Sequence, residues 1–174
     1  AAEWFDLGLI SNLGKEKADD LKKNNIRTYQ EIIFRMIGKE FKGEEYILNF
    51  ERQNHNGDKN RKKILVGMES RADKRWPTKN WNGYDQLGEL LVQDDFDVKT
   101  FRQRDTIHQY INDISECELI VTGDTLALHI ALALKINVVA IFTCTSPAEI
   151  HDYGRLIKVV SPLWKEAFYS SEYM

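Results

Sequence analysis

The chain has 174 residues, of which 43% are hydrophobic and 29% are charged, and its formal net charge is −3. This composition supports a buried core and excludes a disordered tail. The near balance of charges argues against general nucleic-acid binding. Two cysteines, Cys117 and Cys144, are too few and too far apart for a disulfide framework or a four-ligand zinc site. No apolar run reaches the ~18–20 residues of a transmembrane helix.

Residues 1–44 are mostly polar and predict helices. Thr28, with Glu31 three residues later, is typical of a capped helix start, and Gly38 is a natural helix end. We interpret residues 1–44 as a helical, peripheral linker segment. We interpret residues 45–174 as one further domain.

One strand is predicted before a solvated loop at 51–63, and from Lys63 onward strand and helix patterns alternate. The predicted strands are 45–50, 64–68, 98–101, 119–121, 138–142 and 156–160. The predicted helices are 81–92, 106–117, 125–135 and 146–153. Alternation of this kind implies parallel strands with right-handed crossovers. The predicted fold class is therefore α/β, a Rossmann-like open parallel sheet with helices on both faces.

Ligands of such sheets bind at the carboxyl ends of the strands. This rule selects the loops 69–80, 122–126 and 143–148. The stretch from Ser70 to Trp81, which spans this first loop and the residue after it, contains four cations within residues 71–79 and two tryptophans, Trp76 and Trp81. Fixed positive charge beside a helix start suits a phosphate or diphosphate. The alternative is that these charges decorate a surface loop while the tryptophans pack into the core.

The second loop leads from a strand into a helix that is apolar except at His129. Asp124 lies at the predicted helix start, and His129 follows Thr125 by four residues, about 40° around the helix. The three side chains can therefore converge at the mouth of the sheet. Two plainer interpretations remain open, in which Asp124 is an N-cap and His129 is a satisfied core residue.

The third loop carries hydroxyl groups that lead into a predicted helix with Pro147 near its start, which helix capping explains without a ligand. Cys144 has no evident base partner, so a nucleophilic cysteine is not expected. The glycine-rich dinucleotide motif, the P-loop and the G-x-S-x-G motif are all missing from the sequence. No spacing of His, Cys and carboxylates suggests a metal site.

Together, these loops resemble the C-terminal half of the family-nine glycosyltransferases, the heptosyltransferase-like enzymes of lipopolysaccharide assembly. The resemblance covers about residues 63–160, because three loops agree in order and spacing. Its motifs are Asp73–Pro77 with Trp81, then Gly123–Leu134, and then Phe142–Pro147 with Tyr153 and Gly154.

The resemblance implies a GT-B fold and an inverting, metal-independent transfer from a nucleotide-sugar donor of the ADP-heptose type, with no cofactor. By motif position, Lys74 would contact the donor diphosphate with Ser70 close by, and Asp124 would hold sugar hydroxyls. The backbone N–H groups of Thr125 and Leu126 would face phosphate. The donor-binding residues implied in this way are Ser70, Lys74, Asp124, Thr125, Leu126 and His129.

The same resemblance places the other half of the reaction outside this chain. The carboxylate base and the site for a glycolipid or glycan acceptor would lie in a preceding N-terminal domain, so no catalytic residue is assigned here. The expected setting is cytoplasmic, peripheral to the inner membrane, in lipopolysaccharide or cell-surface glycan synthesis. The family usually has glycine where Leu126 stands, and the segment Val98–Asp105 is short. These departures favour an alternative, a non-catalytic binding or interaction domain that retains the fold.

Overall fold

The computed structural model describes residues 14–52, 63–71 and 76–169. The predicted donor residue Lys74 lies outside these ranges. The helices are α1 (Lys15–Lys23), α2 (Tyr29–Met36), α3 (Tyr84–Gln93), α4 (Ile107–Ser115) and α5 (Leu126–Ala133). The strands are β1 (Leu65–Glu69), β2 (Asp97–Thr100), β3 (Leu119–Gly123), β4 (Asn137–Phe142) and β5 (Leu156–Val160).

The five strands form one parallel sheet in the order β2-β1-β3-β4-β5. The register places Met68 beside Val121, and Val121 beside Val139. The chain runs outward from β1 to β2 and then crosses to the other side of β1 to form β3. This reversal is the topological switch point at which open α/β sheets bind ligands. The predicted α/β, Rossmann-like fold is confirmed.

Helices cover both faces of the sheet. One apolar cluster joins α4 and α5 to one face, with Ile114, Leu128 and Phe142 fully buried. A second cluster joins α3 to the opposite face through Tyr84, which packs with Met68 and neighbouring strand residues. Burial of apolar surface on both sides holds the strands in a fixed frame. The loops at the carboxyl ends of β1 and β3 are therefore built on rigid elements.

Side-chain caps fix where the two helices beside the switch point begin. Thr106 and Gln109 form a capping box at the start of α4, with each side chain bonded to the other's backbone N–H. The N-cap of α5 is Thr125, whose hydroxyl accepts a hydrogen bond from the Ala127 N–H at 3.3 Å. Such caps satisfy donors that have no partner within the helix.

Two predicted elements are wrong. Residues 45–50 form no strand, and instead Tyr46, Leu48 and Phe50 pack as an irregular segment on the cluster beneath α4 and α5. Alternating apolar residues can cover the edge of a core without joining a ladder. The predicted helix 146–153 is only a 3-10 turn at Pro147–Glu149, because the backbone becomes extended at Ile150.

The described part of the N-terminal segment contains two helices, as predicted. The predicted capping box of Thr28 and Glu31 is present at the start of α2. This helix has no buried residue and is attached through rings, with Phe34 packing on Phe41 and Phe41 on His151. The division at residue 44 stays a prediction. In the described ranges, no helix has the length and apolarity needed to cross a membrane.

Candidate functional site

A cleft of about 840 Å³ opens at the switch point, between the carboxyl ends of β1 and β3. One wall comes from the end of β3 and the start of α5, and the opposite wall comes from the end of β1 and from α4. The first wall contains Asp124, Thr125, Leu126 and His129, with Lys79 beside them. The second wall contains Glu69, Arg71, Tyr110 and the loop 103–107.

The start of α5 presents backbone donors and a carboxylate to the cleft. Thr125, and not Asp124, is the N-cap, so the interpretation of Asp124 as a simple cap is wrong. A hydrogen bond of 2.8 Å between the hydroxyls of Thr122 and Thr125 fixes the capping side chain. The N–H groups of Thr125 and Leu126 have no hydrogen-bond partner among the described residues. They carry the partial positive charge of a helix N-terminus, which favours an anion.

Lys79 holds Asp124 from the side of the cleft. Its Nζ lies 3.3 Å from the backbone oxygen of Asp124 and 3.5 Å from Oδ2 of the same residue. The two side chains are 18% and 17% exposed, so the pair is largely shielded from solvent. A shielded cation beside a carboxylate limits the rotamers of both side chains. The site therefore offers an oriented carboxylate next to a cation.

His129 lies one turn into α5 on the same wall of the cleft. Its Nδ1 is 3.1 Å from the hydroxyl of Tyr46, in the irregular segment that precedes the sheet. Burial lowers the pKa of His129, and Lys79 lowers it further, while Asp124 acts in the opposite direction with a smaller effect than burial. The net effect favours the neutral imidazole.

The opposite wall is built around Glu69, the last residue of β1, which is only 4% exposed. Its carboxylate accepts hydrogen bonds from Nε and Nη2 of Arg71, at 2.9 and 2.6 Å, and from the hydroxyl of Tyr110. Burial, and then the hydrogen bond and charge of Glu69, raise the pKa of Tyr110, so the phenol keeps its proton. Glu69 thus orients a guanidinium at the edge of the cleft.

A second arginine on this wall is held in the same way. Nε and Nη2 of Arg104 bind the two carboxylate oxygens of Asp113 on α4, at 2.5 and 2.9 Å. Lys99 of β2 binds the same carboxylate at 2.9 Å and Glu116 at 2.7 Å. Asp113 therefore positions Arg104 and links the loop before α4 to the edge of the sheet.

The structure brings four of the six predicted residues into one cleft. The cleft is lined by Asp124, Thr125, Leu126 and His129. Of these, Leu126 is 55% exposed. Ser70 is half-buried beside Glu69 and is not part of the lining. Lys74 lies outside the described residues.

Several residues that line the cleft or contact its lining were not predicted from the sequence. Glu69 could have been found, since it is a carboxylate at the end of an apolar strand, but the predicted strand ended one residue earlier, at Met68. Lys79 is one of four cations in its loop, and nothing in the sequence distinguishes it from the other three. The contact of Tyr46 with His129 joins residues 83 apart and has no sequence signature. Within the described ranges, His, Cys, Asp and Glu side chains form no group of three that could hold a metal ion.

One comparison with known proteins gives a match. Residues 103–171 match the model of glycosyltransferase family 9 (heptosyltransferase). The match includes α4, α5, the first wall of the cleft apart from Lys79, and the third loop. No curated protein and no solved structure matches the chain significantly. The resemblance to this glycosyltransferase family is confirmed for residues 103–171, and it supports a transferase function.

Proposed function

We propose that the cleft between β1 and β3 binds the nucleotide-sugar donor of an inverting glycosyltransferase, with a sugar of the ADP-heptose type. The observation that carries this proposal is the grouping of Asp124, Thr125, Leu126 and His129 at the topological switch point of the sheet. Three of these residues follow one another at a strand-to-helix turn, where a parallel sheet presents its ligand.

The diphosphate and the sugar of such a donor each have a matching group in the cleft. The N–H groups at the start of α5, with the ammonium of Lys79, suit the diphosphate. The carboxylate of Asp124 accepts hydrogen bonds from sugar hydroxyls. The arginines on the opposite wall, held by Glu69 and Asp113, supply further positive charge at the rim.

In the proposed reaction, an acceptor hydroxyl attacks the anomeric carbon from the face opposite the diphosphate. A new glycosidic C–O bond forms while the bond from that carbon to the diphosphate oxygen breaks, and the configuration inverts. The nucleoside diphosphate carries away the electron pair, and Lys79 with the α5 N-terminus stabilises the developing charge. The hydroxyl proton goes to a carboxylate of a second domain, which would also hold a glycolipid or glycan acceptor in the cytoplasm.

One observation favours the alternative, a binding domain without turnover. The exposed side chain of Leu126 occupies the start of α5, where close approach of a phosphate to the backbone would need a small residue. The two functions differ in what a Leu126→Gly substitution should do. If the cleft is a donor site in which the Leu126 side chain hinders the approach of the phosphate, the Leu126→Gly variant should bind nucleotide sugar more tightly than the wild type.

The test is calorimetric titration of the chain with ADP and with ADP-heptose. We expect Asp124→Asn to weaken ADP-heptose binding by about 10- to 100-fold, which corresponds to the ~1.5–3 kcal/mol of a charge-assisted hydrogen bond. ADP binding should change less, because Asp124 is proposed to hold the sugar. Asp94→Asn, an exposed residue after α3, is the matched control and should bind as the wild type does.

Two results would contradict the proposal. If the wild-type chain binds neither ADP nor ADP-heptose, the cleft is not a donor site. If Asp124→Asn binds ADP-heptose as tightly as Asp94→Asn does, Asp124 does not contact the sugar. Thermal unfolding of both variants shows whether either substitution alters the fold.

A further inference from the structure

A chain of three polar side chains connects the N-terminal helices to the cleft. The side-chain Nε2 of Gln30 in α2 lies 3.0 Å from the hydroxyl of Tyr46. The same hydroxyl lies 3.1 Å from Nδ1 of His129 in α5. The rings of Tyr46 and His129 pack edge to face, with centroids 6.1 Å apart. All three side chains are half-buried, so solvent does not readily replace these contacts.

The chemistry of the three groups gives the chain a direction. An amide nitrogen can only donate, so the oxygen of Tyr46 accepts from Gln30. The single O–H of Tyr46 is then available to donate to Nδ1 of His129. A neutral imidazole that accepts at Nδ1 carries its proton on Nε2.

The geometry points to a specific role for His129, which rests on the proposed function for the identity of its ligand. We propose that Gln30 and Tyr46 are positioning residues that hold His129 in the Nε2–H tautomer, as a hydrogen-bond donor to the phosphate or sugar oxygens of the donor. His129 lines the cleft, and because Tyr46 engages Nδ1, Nε2 is the ring nitrogen left for a ligand.

This role also gives the N-terminal helices a part in the site. Gln30 belongs to α2, which has no buried residue, whereas His129 belongs to the buried helix α5. The hydroxyl of Tyr46 joins the two. Burial lowers the pKa of His129, which agrees with a neutral ring. A neutral donor at this point would bind oxygen atoms without adding charge beside Lys79.

The decisive measurement is the tautomer of His129 in the ligand-free protein. Long-range ¹H–¹⁵N NMR spectra at pH 7.5 distinguish a protonated ring nitrogen from an unprotonated one. The chain has four histidines, so the His129 signals are assigned by their loss in His129→Asn. We expect a protonated Nε2 and an unprotonated Nδ1. If the Gln30 amide were turned by 180°, its oxygen would accept from the Tyr46 hydroxyl, and the Tyr46 oxygen would then accept from a protonated Nδ1 of His129. A proton found on Nδ1 would therefore overturn the proposal.

The variant Tyr46→Phe removes the hydroxyl but keeps the ring in its aromatic cluster. We expect the His129 nitrogens to shift toward a mixture of both tautomers, and the affinity for ADP-heptose to fall about 3- to 10-fold, as for one net hydrogen bond. Tyr84→Phe, which also removes one phenol hydroxyl, is the control, since Tyr84 packs in the cluster on the opposite face of the sheet from His129. It should leave the tautomer unchanged.

The two readouts separate this proposal from the proposed function. If Tyr46→Phe leaves the tautomer of His129 as in the wild type, Tyr46 does not position the ring and the proposal fails. If the tautomer shifts but the affinity is unchanged, His129 does not donate to the ligand, which also overturns the proposal. If the wild type binds no nucleotide sugar, the proposed function fails, with it the donor role of His129, and the NMR measurement still decides whether Tyr46 sets the tautomer.

Discussion

Single buried carboxylates determine where the cations of the cleft lie. Glu69 holds Arg71 and Asp113 holds Arg104, in each case through Nε and Nη2. This side-on contact uses one edge of the guanidinium and leaves Nη1 for another partner. Arginines fixed in this way lose little further rotamer freedom when a ligand binds. The charge pattern of the cleft therefore depends on residues behind its surface.

Asp113 is the better of the two carboxylates for a stability test. Its burial acts to raise the pKa of its carboxyl, but hydrogen bonds and charge from Arg104 and Lys99 outweigh burial and lower it. We expect Asp113→Asn to lower the free energy of unfolding at pH 7 by about 1–3 kcal/mol, because two cations lose their partner. Urea denaturation measures the difference.

The pH dependence of this difference gives a second check. A lowered folded pKa stabilises the fold above the unfolded value of about 4, and that stability is lost as the pH falls through the folded pKa. The difference in free energy of unfolding between the wild type and Asp113→Asn should therefore become smaller below pH 4. Glu116→Gln is the control, since its more exposed carboxylate also binds Lys99, and it should change stability by less than about 0.5 kcal/mol. A gap of equal size at pH 3 and pH 7 would show that charge is not the cause.

Among the secondary-structure elements, β1 connects the two walls of the cleft, because its end carries one wall and it pairs with β3, whose end carries the other. It pairs with β2 on one side and β3 on the other, and all five of its residues are buried. Gly67 lies at its centre, where an added Cβ would come within 2.5 Å of Phe101 and 2.8 Å of both Cys117 and Ile120. The close packing of these three side chains against β1 requires glycine there.

We expect Gly67→Ala to destabilise the protein by about 1–3 kcal/mol, the usual effect of overpacking a filled core. Gly88→Ala on α3 is the matched control, because its Cβ would meet only the flexible end of Met68 at 3.0 Å and the Val98 side chain at 4.0 Å. Alanine in a helix is favoured over glycine by roughly 0.5–1 kcal/mol, so this variant should be neutral or slightly more stable. Equal melting temperatures for the two variants would contradict the packing argument.

Across the whole molecule, stability should be concentrated in the sheet. β3 and β4 pair with neighbours on both sides and are mostly buried, whereas α2 has no buried residue and Ala18 is the one buried residue among the described side chains of α1. We expect native-state hydrogen exchange to find residues 14–44 less protected than 119–142, because shallow segments open without global unfolding. Equal protection in both ranges would mean that the N-terminal helices unfold together with the domain.

The N-terminal helices would then add to the site without stabilising the sheet. Gln30 contacts Tyr46, and Lys22 packs over Tyr169 next to Lys79. Local opening of this segment would release both contacts. Tyr46→Phe removes the hydroxyl that Gln30 contacts, so it should leave the hydrogen-exchange protection of β3 and β4 unchanged.

Local sequence patterns were enough to predict the parallel sheet and much of one wall of the cleft. Apolar runs of strand length alternating with helical periods allow few arrangements other than a parallel sheet, and the turn from Gly123 to Thr125 marks where a ligand is presented. Asp124 and His129 could be predicted because helical geometry relates neighbours in the chain. The strand predicted at 45–50 failed because period-two alternation also suits an irregular segment lying on a core edge.

The strand order and the opposite wall of the cleft depend on long-range packing. The strand order, and with it the switch point between β1 and β3, follows from how the helices pack, which local patterns do not encode. The opposite wall joins Glu69 to Tyr110 across 41 residues, and Tyr46 reaches His129 across 83. Contacts of this kind depend on which side chains the fold brings within hydrogen-bond distance. Composition and spacing along the chain do not predict them.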